Sequence, residues 1–476
     1  MLEAIKSIRN KAPFYYFEEI SKIPRASGNE KGIADYLCNF ANERNLELYR
    51  DEANNVLIKK QGSKGRENEE CLMLQAHTDM VAEKNLSTVH DFAADPIKLV
   101  VEGNILRAEG TTLGADDGFG VAIMLAILDS KEISHMPLEC LFTSSEEIGL
   151  VGAGKFDYSK ISSKRMINLD SAEENTVIIG CCGGVRTELT LPVNRESVKK
   201  DGYKITIGGL QGGHSGEDID KKRLNAHKLM GKILRMFKGN TRVRVSTISG
   251  GDKDNAIPRE CELSLVPDDY SECENVLSGI NEKIRNELRA EEDNGLFVNV
   301  EKTEVESLIS YEDTEKLLKC LLTPNGVLCY RSIEPFIPQT SRNLARIRTT
   351  ENEILIGFSS RSYLDSQLEG SMRELDLLAK QVGATTYHHE RYPGWASDKD
   401  SELVKKYQSA YNKATGKETK PTLIHAGLEC GLISSAIGDF TAISIGANVC
   451  DLHTPKETME IDSFDRIYDA IVEVLK

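Results

Sequence analysis

The chain has 476 residues, 40% of them hydrophobic and 28% charged, a balance that suits a folded enzyme and excludes a disordered chain. That length exceeds one ordinary domain and points to two. A formal net charge of −16 argues against nucleic-acid binding, which requires basic patches.

The N-terminus, Met1-Leu2-Glu3-Ala4-Ile5-Lys6, carries an early acid and no long apolar stretch, so no signal peptide is expected. The longest apolar run, Val121 to Leu128, is far short of a membrane span, and a cytoplasmic protein without membrane contact is the expectation. The 11 cysteines lack Cys-x-x-Cys spacing, and Cys71 and Cys140 sit inside apolar runs. They read as reduced packing residues, not as a disulfide framework or a thiolate metal site, and the pair Cys181-Cys182 reads the same way.

Strands alternate with helical patterns up to about Gly184, which is the α/β signature. Residues 61–70 are polar and read as a hairpin-like loop. The apolar run Cys71-Leu72-Met73-Leu74 then leads to His77-Thr78-Asp79, where period-2 alternation sets a carboxylate on the same face as an imidazole. A carboxylate there can take the second ring N–H and fix the tautomer of a metal-binding histidine. Three further acidic stretches carry comparable signals. Leu113-Gly114-Ala115-Asp116-Asp117-Gly118 is a glycine-rich turn opening an apolar helix from about Phe119 to Leu128. Cys140-Leu141-Phe142-Thr143 reads as a buried strand emptying into Ser144-Ser145-Glu146-Glu147, and Arg165 to Leu169 as another ending at Asp170. Open α/β sheets build sites beyond the carboxyl ends of their strands, so these acids are expected to be neighbours.

Beyond Cys182-Gly183-Gly184, a candidate hinge, the rhythm changes. Tyr203 to Ile207 reads as a strand, and Arg223 to Phe237 as a helix whose Leu229, Met230, Ile233, Leu234 and Phe237 share one face. Tyr392-Pro393-Gly394-Trp395 marks a return, and His453, in Leu452-His453-Thr454-Pro455, follows the apolar segment Phe440 to Ile445. The expected organisation is a catalytic domain in two parts, 1–185 and 390–476, interrupted by an inserted domain over 186–389.

Imidazole nitrogen and carboxylate oxygen are both zinc ligands. One ion can take His77 and Asp170, the other Glu147 and His453, with one acid of the Asp116-Asp117 pair bridging them at roughly the 3.5–4 Å separation of co-catalytic hydrolases. Glu146 neighbours a ligand, and in an extended segment it points elsewhere, which suits a general base acting on a water between the ions.

Taken together, His77-x-Asp79, Gly114 to Gly118, Glu146-Glu147, Asp170 and His453-Thr454-Pro455 resemble the di-zinc exopeptidase family of aminoacylases and carnosine-type dipeptidases. Tyr392-Pro393-Gly394-Trp395 and His425-Ala426-Gly427-Leu428-Glu429-Cys430-Gly431 support the likeness, which spans nearly the whole chain. It implies a mixed-sheet α/β catalytic domain interrupted by an α+β lid, and two divalent ions, zinc first, with manganese or cobalt as alternatives. The ligands implied are His77, Asp116 as the bridge, Glu147, Asp170 and His453, with Asp79 orienting His77 and Glu146 as base. The activity implied is hydrolysis of short unblocked peptides, Xaa-His dipeptides among them, by a homodimer. Gly212-Gly213-His214-Ser215-Gly216 and Leu224-Asn225-Ala226 resemble the lid signature, which gives His214 the oxyanion and Asn225 the substrate. Arg361 is the candidate clamp for the substrate carboxylate, and His425 and Glu429 are candidates for its amino group. Arg342 stands where the family pattern has an apolar residue. The alternatives are an N-acyl amino acid deacylase with the same metals and a non-catalytic binding protein on the same fold.

Overall fold

The computed structural model describes residues 10–286, 294–331 and 337–476, so the N-terminal segment Met1 to Lys6 lies outside the described residues. Two compact units are present. One comprises Met1–Cys181, Trp395–Leu423 and Leu428–Lys476, and the other Cys182–Gly394 with Ile424–Gly427.

The first unit is built on a nine-stranded sheet. In spatial order its strands are Glu47–Arg50, Val56–Lys60, Leu138–Thr143, Leu72–His77, Arg165–Asn168, Thr441–Ser444, Thr176–Cys181 and Trp395–Ala396, with Lys420–Ile424 also paired to Thr176–Cys181. The four central strands run parallel, and their registers pair His77 with Thr143, Gln75 with Asn168, and Asn168 with Ser444. Their carboxyl ends therefore lie along one edge. Leu72–His77 and Leu138–Thr143 are buried at every position, as parallel strands covered on both faces must be. The helix Ala115–Asp129 is apolar all round; it packs on Leu72–His77 and against the helix Lys11–Ser21. It begins earlier than the apolar run suggests, and Asp116 and Asp117 hold non-helical dihedrals within its first turn.

Residues 61–70 do not close a hairpin. The strands they join, Val56–Lys60 and Leu72–His77, lie on opposite sides of Leu138–Thr143, which inserts between them. Nothing in a local polar segment records that a strand 60 or more residues later takes the intervening place.

The second unit carries a nine-stranded sheet that is antiparallel throughout. Its helices Ala226–Met236, Tyr311–Leu322 and Asp365–Val382 share one apolar core with the sheet, an α+β arrangement. The first of these helices starts three residues later than the periodicity predicts. Asn225 caps it, its side chain accepting the N–H groups of His227 and Lys228. Arg342 is buried because its guanidinium donates to the Ser371 carbonyl and hydroxyl and to Glu374, tying its strand to the helix Asp365–Val382.

Candidate metal centre

His77 closes its strand with a buried side chain. Its backbone N–H donates to Asp117 Oδ2 at 3.2 Å. Its Nδ1 faces Asp79 twice, at 3.2 Å from the carbonyl oxygen and 3.4 Å from carboxylate Oδ1. Asp79 also accepts the backbone N–H groups of Glu146 at 2.9 Å and Glu147 at 3.2 Å, and the Ser27 hydroxyl at 2.7 Å. One buried carboxylate therefore fixes both an imidazole and the turn that carries two glutamates.

That turn is not extended. Ser145 has φ of 51°, and the N–H groups of Gly149 and Leu150 both return to the Glu146 carbonyl. Alternation along an extended segment, the reason given for Glu146 pointing away from the ligands, does not apply here. A carboxylate oxygen of Glu146 lies within 4.8 Å of ligand atoms of His77 and Glu147. Glu30 holds the turn from outside, its Oε1 accepting the Ser145 N–H at 3.1 Å and hydroxyl at 2.7 Å.

Asp116 leaves a turn that requires glycine. Gly114 has φ of 67°, and a Cβ there would stand 2.6 Å from Arg25 Nη2 and 2.8 Å from the Met80 sulfur. The two Asp116 oxygens face different histidines, Oδ1 at 3.0 Å from His77 Nε2 and Oδ2 at 3.2 Å from His453 Nε2. Asp170 Oδ1 lies 3.8 Å from His77 Nε2, and Glu147 Oε2 lies 3.1 Å from His453 Nε2. His453 itself sits in a turn, with φ of 60°, and not at a strand end.

The geometry yields two overlapping triads, His77-Asp116-Asp170 and Asp116-Glu147-His453, whose ligand atoms lie within 4.8 Å of one another. Both mix imidazole nitrogen with carboxylate oxygen, a donor set suited to divalent zinc, manganese or cobalt. Glu147 Oε1 is buried with no hydrogen-bond partner, an atom that an ion would satisfy. The five residues fit divalent cations, and of the Asp116-Asp117 pair it is Asp116 that faces both histidines, while Asp117 accepts the His77 and Gly120 N–H groups. Burial, with added repulsion from Glu147, Asp170 and Glu429, raises the Glu146 carboxyl well above its ordinary range against the pull of His77. Burial likewise raises Asp170, with Asp116 adding to it.

Glu429 lies beneath the strand ends. It is fully buried, and its Oε2 accepts the Gln75 amide at 2.5 Å and the Thr143 hydroxyl at 2.6 Å. Gln75 in turn accepts the Asn168 amide at 2.6 Å. Glu429 thus ties together the three strands that deliver His77, the glutamate turn and Asp170. Its other oxygen, Oε1, is buried with no hydrogen-bond partner.

In the second unit His214 lies on the short strand Gly213–His214, and its Nδ1 accepts the Glu217 N–H at 3.2 Å. The ring hydrogen is therefore assigned to Nε2. Asn225, besides capping its helix, donates to Asn343 Oδ1 at 3.1 Å and the Leu344 carbonyl at 2.9 Å. Both ends of its amide are therefore engaged within this unit. Arg361 is 7% exposed, donates to the Tyr392 hydroxyl at 2.7 Å, and leaves Nε without a hydrogen-bond partner. His425 bonds Ser341 Oγ through Nε2 at 2.7 Å; burial, with Arg361 and His214 nearby, lowers its pKa to about 3, so it is neutral. His227 is buried in the same unit, and His388 bridges Thr187 and Asp376, so neither enters the ligand set. Sequence reasoning missed Ser27, Glu30, Gln75 and Thr143, whose roles depend on contacts 52 to 354 residues away in the chain.

No helix among the described residues is long and apolar enough to cross a membrane. The sequence profile of peptidase family M20/M25/M40 matches residues 73–476. The chain is 34% identical, over 97% of its length and 96% of the relative, to the cytosol non-specific dipeptidase of Escherichia coli (strain K12). It is 33% identical, with a TM-score of 0.83 and coverage of 99% and 97%, to the structure of the aminoacylhistidine dipeptidase from Vibrio alginolyticus. The aminopeptidase PepT from Bacillus cereus shares the fold at 15% identity and a TM-score of 0.57, covering 98% of each chain. The catalytic-plus-lid α/β architecture is that of these relatives, and the chain is a hydrolase that belongs to peptidase family M20/M25/M40.

Proposed function

We propose that the protein is a cytosolic dipeptidase dependent on two divalent ions, zinc foremost, that hydrolyses short unblocked peptides including Xaa-His dipeptides. The observation that carries this reading is Asp116, whose two oxygens address two different histidines at 3.0 and 3.2 Å. The relatives named as dipeptidases support the substrate class. Ions held by His77, Asp116, Asp170, Glu147 and His453 would supply Lewis-acid chemistry, polarising the scissile carbonyl and lowering the pKa of the attacking water. Glu146 would take a proton from the attacking water and pass it to the leaving amine, a task suited to a carboxyl whose pKa burial has raised. In this reading residues 186–389 form the lid. His214 donates its Nε2–H to the developing oxyanion, and Arg361, a buried guanidinium with an unpartnered Nε, anchors the substrate carboxylate. The working form is a homodimer.

The test strips metal with a chelator, restores zinc, manganese or cobalt, and assays a panel of dipeptides including Xaa-His beside N-acetyl amino acids. Hydrolysis of the unblocked dipeptides alone is expected. Turnover confined to N-acetyl amino acids would make the protein a deacylase, and tight metal binding with no turnover of either class would leave a binding protein.

A further inference from the structure

His453 and Glu457 are four residues apart in the chain and do different things. While His453 faces Asp116 Oδ2, Glu457 is buried, at 2% exposure, beneath the turn from which Asp116 projects. Its Oε2 accepts the N–H groups of Leu113 at 2.7 Å and Gly114 at 3.0 Å; its Oε1 accepts those of Ala115 at 2.8 Å and Asp116 at 3.3 Å. Four consecutive amides thus converge on one carboxylate.

Arg25, equally buried, grips the same turn through its opposite groups. Its Nη2 donates to the Gly114 carbonyl at 2.5 Å, while Nη1 donates to the carbonyls of Thr78 at 3.0 Å and Asp79 at 3.1 Å, just past His77. Three segments distant in sequence carry His77, Asp116 and His453, and the two charges join all three. A pair that served only to stabilise the fold would have no need to act on the backbone of these segments in particular.

We propose that Glu457 and Arg25 are positioning residues that set the Asp116 carboxylate relative to both histidines, so that one side chain can serve two ions. This rests on the two-metal reading above. Glu457→Gln keeps the side-chain size but turns an NH2 group toward two N–H donors. Zinc affinity measured by chelator competition is expected to weaken about 10–100-fold, as for other residues that orient ligands. The stripped variant should keep the parental far-UV circular dichroism, and in the zinc-loaded enzyme kcat should fall while KM stays near parental. Glu457→Asp, with both acceptor oxygens on a shorter stem, should bind zinc more tightly than Glu457→Gln. If the glutamine variant does not fold, Arg25→Lys, which keeps the charge but loses the fork, is expected to weaken zinc in the same way. Parental zinc affinity in either soluble variant overturns the proposal, as does a glutamine variant that binds zinc more tightly than the aspartate one. Should the parent itself bind no zinc, manganese or cobalt, it is the two-metal reading that fails.

Discussion

Asp79 Oδ1 accepts the backbone N–H of Glu146 at 2.9 Å, so the carboxylate that faces the His77 ring also holds the proposed base by its main chain. Sequence alone gives Asp79 one task, orienting an imidazole. The fold gives it a second, because the Glu146-Glu147 turn lands on its two oxygens.

That double role sets the first prediction. In Asp79→Asn an NH2 group would face N–H donors on the glutamate turn or the Ser27 hydroxyl. Zinc affinity should weaken about 10–100-fold. At saturating zinc, kcat should still be depressed, because Glu146 is displaced as well. Parental kcat in the zinc-saturated variant would leave Asp79 with the imidazole alone.

Glu146→Gln should retain both ions and lose about 10²–10⁴-fold in kcat, the range for a general base. Metal analysis and steady-state kinetics on the same preparation check this. Loss of an ion would make Glu146 a ligand instead.

For Asp116→Ala the expected outcome is weaker binding at both sites, since each of its oxygens addresses a different histidine. Stoichiometry by chelator competition should fall below two ions at concentrations that saturate the parent. Undiminished occupancy would remove Asp116 as the bridge.

His214→Ala should lower kcat about 10²–10³-fold, the loss seen when one oxyanion donor is removed, with zinc retained. The Glu217 N–H on Nδ1 leaves Nε2 as the ring donor. Wild-type rates would end its role.

Glu429 carries a stability prediction. Burial, with Asp79 adding to it, raises its pKa from 4.5 to about 7 against the pull of His77, Thr143 and Gln75. A folded pKa above the unfolded one means that its contribution is full below 4.5 and is lost as pH rises through about 7. Glu429→Gln, which mimics the protonated form, should therefore gain on the parent across that window, by on the order of 3 kcal/mol. Thermal unfolding of both chelator-stripped proteins from about pH 5 to pH 8 measures it. A constant difference between them would show that Glu429 does not titrate there.

Much of this protein is legible without its structure. Apolar runs ending near His77, Thr143 and Asn168, and the glycine turn before Asp116, mark where candidate ligands emerge, because parallel strands carry their burial in continuous apolar stretches. The return of the chain after an inserted unit is visible for the same reason, in a change of rhythm. Other features are not local. The 61–70 loop spans a strand inserted from residues 138–143, and Asn225 spends its amide on Asn343 and Leu344. The direction of Glu146 follows from a positive φ at Ser145 that no composition signals.

By itself, the sequence determined the kinds of donor present and their order along the chain, since residue type and periodicity are local properties. Only the tertiary structure decided which carboxylate meets which histidine, and which buried charges hold them there. Asp116 stands between His77 and His453, while Glu457, Arg25 and Glu429 grip the backbone and strands beneath. Those assignments depend on hydrogen bonds between segments up to 354 residues apart, and they form only when burial leaves each polar group no other partner.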